Sequence, residues 1–305
     1  MDFLIFLEGT RTPFFDTVFS LITQLAEKTV LVVIFCIIFW CINKRMAYIM
    51  GLTFFVSALV VQGLKIVFRV PRPWIANPAL KPVEGSVTAA TGYSFPSGHT
   101  QTGAALFGSL GAQLRKKWVK AICFFVAILI GFSRLYLGVH YPSDVIVSLL
   151  ITFAVVFLAS RFITDEPVSI KQELMLALFI LASALVVIGT VIYLHHFEIS
   201  TPSQLRDAVI AAGAMIGFGV GLFVERNYIK FSVRSKNVWM HVLKVILGIA
   251  GTLIVQEGFK VFGSGLVMDG IRYFLVVMWI MVFYPLIIKR FFAIKEPPRS
   301  LAGAR

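Results

Sequence analysis

The chain is short of charge, of acid and of usefully placed cysteine. Only 14% of its 305 residues are charged while 58% are hydrophobic, which excludes an ordinary soluble globular domain. The three cysteines, Cys36, Cys41 and Cys123, all lie inside apolar runs, which argues against a disulfide framework or a thiolate metal centre. They read as small buried hydrophobes. Acidic residues number 15 against 28 Lys and Arg, a formal charge of +13, yet the basic residues form no aromatic-interleaved patch. Nucleic acid is therefore not an expected partner. The first 25 residues contain Asp2, Glu8 and Asp16 and lack a basic start followed by an apolar core, so no cleavable signal peptide is expected. No internal repeat or low-complexity tract stands out.

What the chain has is long apolar stretches separated by short polar loops. A bilayer core about 30 Å thick needs roughly 20 apolar residues per helix. Such stretches fall at about 27–43, 46–68, 97–114, 118–136, 142–160, 172–195, 204–224, 239–257 and 268–289. The expected fold is an all-α, polytopic membrane bundle of about nine transmembrane helices. An amphipathic stretch over 12–25, with Phe14, Val18, Ile22 and Leu25 at helical spacing, predicts a helix lying at the interface. Residues 293–305, with Pro297 and Pro298, read as a frayed tail.

Alternate loops of such a bundle lie on opposite sides of the bilayer. The side carrying Lys44-Arg45, 115–120, 161–171, 226–236 and 289–305 holds 17 Lys and Arg against 10 on the other. The positive-inside bias makes the richer side cytoplasmic, with the N-terminus outside and the C-terminus inside.

Three polar stretches interrupt this pattern, all at the outer ends of spans. The first runs from Lys65 through Arg72-Pro73. The second is the turn Tyr93-Ser94-Phe95-Pro96-Ser97-Gly98-His99-Thr100. The third comprises Ser133-Arg134, then His140 and Asp144. If Ser97 caps the helix that follows, its first N–H groups and positive dipole end favour an anion, and the natural anion is a phosphate. Pro142 fits the first turn of the next helix, placing His140 at its mouth with Asp144 within reach of the imidazole.

The pattern Lys-x6-Arg-Pro, Pro-Ser-Gly-His and Ser-Arg-x5-His-x3-Asp resembles the three-part signature of the type 2 phosphatidic acid phosphatases, the membrane branch of a superfamily shared with vanadium haloperoxidases. The likeness covers residues 1–160 in architecture, and every signature position is filled. It implies that His140 is the nucleophile of a phosphohistidine pathway, oriented by Asp144, with His99 as general acid. Lys65, Arg72, Arg134, Ser97 and Gly98 would bind the phosphate. No metal or other cofactor is expected, because the cations neutralise the phosphoryl charge and acidic clusters are missing there.

The expected organisation is a lipid phosphatase core over 1–162 and a C-terminal transmembrane extension of unassigned role over 163–305. The expected substrate is a membrane lipid phosphate, with polyprenyl diphosphate, such as undecaprenyl diphosphate, ahead of phosphatidylglycerol phosphate and phosphatidic acid. Hydrolysis would occur at the outer face of a cell membrane. A lipid-linked phosphotransferase and a lipid transporter with a phosphatase-like half are the alternatives, and a homodimer is left open. Arg69, Tyr93 and Trp74 read as interfacial residues. Lys244, Gln256, Glu257, Lys260, Asp269 and Arg272 read as snorkelling or paired groups.

Overall fold

A computed structural model of the chain describes residues 1–88, 90–164, 169–263 and 265–292. The expected tail at 293–305 lies outside the described residues. Among those residues the structure is helical and has no strand.

Two short helices, α1 (Asp2–Gly9) and α2 (Pro13–Gln24), precede α3 (Lys28–Ile37), which runs into a π turn at Ile38–Ile42. Only α2 is legible as periodicity, and Thr12 caps it by accepting the Phe15 N–H. The long α4 (Lys44–Phe68) starts at Asn43, whose side chain accepts the Met46 N–H. It stops at Arg69, held in the left-handed region at φ 47°, so the helix ends before either proline. Pro73 instead opens a single turn, α5 (Pro73–Ala76).

The following stretch is one helix with a π turn inside it. It consists of α6 (Gly98–Gly103), a π turn (Ala104–Gly108) and α7 (Ser109–Gln113). Next come α8 (Lys117–Tyr136), α9 (Pro142–Phe162), α10 (Ile170–His196), α11 (Pro202–Val224), α12 (Val238–Gly258), α13 (Leu266–Met278) and α14 (Tyr284–Phe291).

Helix occupies all nine expected positions, but the count of nine spans is corrected. Among the described residues, seven helical stretches are long and apolar enough to cross a bilayer. An eighth is obtained if Pro13–Gln24 and Lys28–Ile42, bent by 48°, are counted as one broken span. Residues 98–113 fall short of the roughly 20 residues a span requires. Outward-facing Phe125, Leu150, Phe157, Phe179 and Ile254 give the bundle an apolar exterior.

Lipid tails are as apolar as leucine, so close packing and buried polar bonds must join the helices. The glycines of α11 supply the first. A Cβ on Gly213 would lie 2.1 Å from the Gly270 carbonyl oxygen, and one on Gly217 would lie 2.8 Å from that of Phe274. Polar bonds supply the second. Lys244, fully buried, donates to the carbonyls of Trp40 (2.9 Å) and Val233 (2.8 Å), and Tyr284 donates to the Lys244 carbonyl. Asp269 accepts from Arg206 at 2.6 Å and pairs with Arg272, while Glu257 pairs with Lys260. The Lys244 bond to Trp40 docks α12 onto the π turn at 38–42, and the Arg206–Asp269 pair joins α11 to α13.

Replacing Gly213 with Val should cost about 1–3 kcal/mol through overpacking. The melting temperature in detergent should fall, whereas Gly189→Val, at a position with open space around its Cα, should leave it nearly unchanged. Equal melting temperatures for the two variants would contradict the close α11–α13 contact.

Candidate active site

The C-terminal ends of α4 and α8 and the N-terminal ends of α6 and α9 meet, and the segment 91–97 threads between them. Ser97 caps α6: its hydroxyl accepts from the Thr100 N–H (3.4 Å) and the Thr100 hydroxyl (2.9 Å). Its backbone N–H donates to the Asp144 carbonyl at 3.1 Å, and Ser148 on α9 donates to the Ser97 carbonyl at 2.8 Å. The turn is thus bolted to the start of α9. A Cβ on Gly98 would meet nothing within 4 Å, so open space lies over this N-terminus.

Asp144 is fully buried, and one of its oxygens, Oδ2, collects three donors. They are the Ser94 hydroxyl at 2.5 Å, the Tyr141 backbone N–H at 2.9 Å and His140 Nδ1 at 3.0 Å. On the other side of the imidazole, Arg72 Nη1 lies 2.8 Å from Nε2. A guanidinium has no acceptor, so Nε2 carries the lone pair and Nδ1 the proton. Burial first, then the charges of Arg72, Arg134 and Lys65, push the His140 pKa well below the usual 6.5. The ring is neutral at pH 7, so its bond to Asp144 is a hydrogen bond to a carboxylate and not an ion pair.

Arg72 is held by the carbonyls of Val139 (3.1 Å), Gly92 (3.1 Å) and Thr91 (2.6 Å), and its guanidinium lies over the Trp74 ring. Lys65 donates to the next carbonyl of the same segment, Tyr93, at 2.7 Å. Arg134 is 1% exposed and spends one N–H on the Thr23 hydroxyl at 2.8 Å, leaving Nε and Nη2 buried without a partner. Unmatched donors on a buried cation are costly, and an anion is the group that would satisfy them. Arg69 is exposed, donates to its own helix at Ile66 and does not enter the cluster.

All eight expected residues therefore lie in one cluster. Lys65, Arg72, Arg134 and His99 each act electrostatically on His140. Sequence reasoning assigned no role to Ser94, Thr23 or Glu27. The Glu27 carboxylate, in the break between α2 and α3, lies 3.4 Å from His99 Nε2, and this hydrogen bond holds its carboxyl below the usual carboxylate range. An acid at the mouth of an apolar stretch was the available signal for it.

Comparison with known proteins gives the same order of parts. Residues 46–167 match the PAP2 superfamily, and residues 209–296 match the PAP2 superfamily phosphatase transmembrane extension. This chain belongs to the PAP2 superfamily. All eight candidate residues fall within its PAP2 domain, whereas Thr23 and Glu27 precede it.

The chain is similar to undecaprenyl-diphosphatase BcrC of Bacillus subtilis, 33% identical over 37% of this chain and 55% of that protein. An undecaprenyl-diphosphatase of Sulfolobus acidocaldarius is 28% identical over 44% of this chain and 64% of that protein. The match thus spans between about half and two thirds of these relatives' length. Among solved structures, Aquifex aeolicus LpxE aligns with a TM-score of 0.48 at 28% identity, covering 52% of this chain and 93% of that one.

Inorganic phosphate should bind this PAP2 site and raise the melting temperature. The linkage is worth about 2.7 kcal/mol at a hundredfold excess over Kd. Arg134→Gln should abolish most of the rise, and an equal rise in variant and wild type would mean that phosphate binds elsewhere.

Proposed function

We propose that this PAP2 protein is a lipid phosphate phosphatase that hydrolyses a membrane phospholipid phosphate or polyprenyl diphosphate through a phosphohistidine on His140. The observation that carries this reading is the pairing around His140: Nδ1 tied to a buried carboxylate, and Nε2 carrying a lone pair beside Arg72 and close to the unpartnered donors of Arg134.

In the first step the substrate phosphoryl group displaces Arg72 from Nε2 and accepts its N–H groups on oxygen instead. Nε2 attacks phosphorus in line, the P–O bond to the leaving group breaks, and His99 delivers a proton to the departing oxygen. Asp144 keeps the ring in the attacking tautomer and stabilises the cationic phosphoimidazole. Glu27 holds His99 in place. Lys65, Arg72 and Arg134 neutralise the equatorial oxygens, with the Gly98 N–H and the Ser97 hydroxyl proton completing the cradle. In the second step water attacks the phosphohistidine, giving up its proton to His99, and inorganic phosphate leaves. Cationic side chains do the charge neutralisation, and among the described residues no group of three or more His, Cys, Asp or Glu is placed to hold a metal ion.

The two undecaprenyl-diphosphatases among the relatives favour a polyprenyl diphosphate, and a tail kept in the bilayer suits a site at the ends of the spans. In this reading residues 1–162 are the catalytic core and 163–305 its extension. The same reading has the N-terminus and the site outside the cell membrane and the C-terminus in the cytoplasm, and the excess of Lys and Arg on alternate loops supports it.

Purified protein in detergent with EDTA should release phosphate from polyprenyl diphosphate or diacyl phosphate without an added acceptor, and His140→Ala should release none. Release that requires an acceptor alcohol would indicate phosphotransfer instead. Protonating Nε2 removes the nucleophile, so the acid limb of kcat/KM should be centred below pH 6.5. A His140-dependent limb at or above 6.5 would contradict a buried neutral ring.

A further inference from the structure

Residues 91–94 run between α5 and α6 without regular secondary structure, yet four in succession hold the site. The Thr91 and Gly92 carbonyls accept from Arg72 Nη2 and Nε, the Tyr93 carbonyl accepts from Lys65, and the Ser94 hydroxyl donates to Asp144. Gly92 sits at φ 62°, a left-handed conformation that costs a residue without Cβ nothing, and the turn there brings neighbouring carbonyls onto one guanidinium. The aim of the phosphate clamp is therefore only as good as the placing of this segment.

The segment's C-terminal end is anchored within the core, where the Ser94 N–H donates to the Val70 carbonyl at 2.8 Å. Its N-terminal end is anchored from the extension. The Thr91 hydroxyl donates to Asp207 Oδ2, on α11, at 3.1 Å, and Lys28 at the start of α3 donates to the other oxygen, Oδ1, at 2.9 Å. Lys28 directly follows Glu27, which meets His99. One carboxylate of the extension thus touches both the segment that aims Arg72 and the break that carries the partner of His99.

This contact does little to hold the helices together. The Lys28 and Asp207 side chains are 62% and 38% exposed, and exposed pairs contribute little to stability. Helix α11 is seated by other means: Gly213 and Gly217 pack closely on α13, and Lys44 pairs with the buried Glu225 at its far end. A helix that does not need a surface pair for its own seat is a fixed point against which a loop can be placed. Placement matters here, because a shift of about 1 Å in reacting or clamping groups can cost about a hundredfold in rate.

We infer that Asp207 is a positioning residue of the phosphate site, acting through the Thr91 hydroxyl on the carbonyls that aim Arg72 and Lys65. This rests on the phosphatase reading above, and a binding measurement without turnover separates the two. The affinity of the purified full chain for inorganic phosphate is measured by titration calorimetry, beside kcat/KM for polyprenyl diphosphate. Asp207→Ala and Thr91→Val should each weaken phosphate binding and lower kcat/KM by about tenfold. Thr91→Ser, which keeps the hydroxyl, should match wild type, and Glu257→Gln, which breaks another exposed pair of the extension, should leave both quantities unchanged. The double variant should be no weaker than Asp207→Ala alone, since both changes remove the same link. Wild-type affinity in Asp207→Ala or Thr91→Val, losses that multiply in the double variant, or a Thr91→Ser variant as weak as Thr91→Val overturns the inference. Should Asp207→Ala fail to fold, the two Thr91 variants decide alone. A wild type that binds phosphate but hydrolyses no lipid phosphate sinks the phosphatase reading, while the affinities still decide the role of Asp207; one that does neither overturns both.

Discussion

A buried carboxylate organises the catalytic end of this molecule. Asp144 joins the second and third polar stretches: its side chain takes Ser94 and His140, and its backbone carbonyl takes the N–H of Ser97. Without the carboxylate the imidazole would lose the acceptor that holds its Nδ1–H, and Ser94 would lose its own. A carboxylate at such a depth persists only when its hydrogen bonds are made, and here one oxygen makes three. Arg72 completes the arrangement from the opposite side of the ring and is itself fixed by three carbonyls, so imidazole and guanidinium position one another.

Helix α11 is tied to the starts of α3 and α4 at its two ends. At the site end, Lys28 pairs with Asp207; at the other, Lys44 pairs with the fully buried Glu225 at 2.8 Å and Tyr48 also donates to it. Removing Lys44 would strand the buried Glu225 carboxylate, a loss of about 3–5 kcal/mol, whereas the exposed Lys28–Asp207 pair is worth at most about 1 kcal/mol. Such pairs fix the register of α11 against α3 and α4, and that register places Ser203 and Asp207 beside Lys65.

The helical positions were legible as apolar runs, and the eight candidate residues through three motifs taken together in order, which the fold brings into one cluster. Lys65, Arg134, His140 and Asp144 stand at the ends of runs that otherwise avoid charge. What was not legible depends on tertiary approach. Glu27 meets His99 from 72 positions away, and Thr23 meets Arg134 from 111 away, with no local periodicity to announce either. The first helix, α1, is too short for its pattern to stand out, and the π turn within 98–113 leaves no compositional mark. Asp207 carries no local signal; only the fold brings it to Thr91 and Lys28.

The central claim is that His140 Nε2 carries the phosphoryl group between lipid and water. Rapid acid-free quenching of the protein with substrate labelled in the transferred phosphate tests it most directly. The account predicts a protein-bound label that is stable to alkali, labile to acid, maps to His140 and is absent from His140→Ala. Full turnover with no such label, or with the label on another residue, would contradict it.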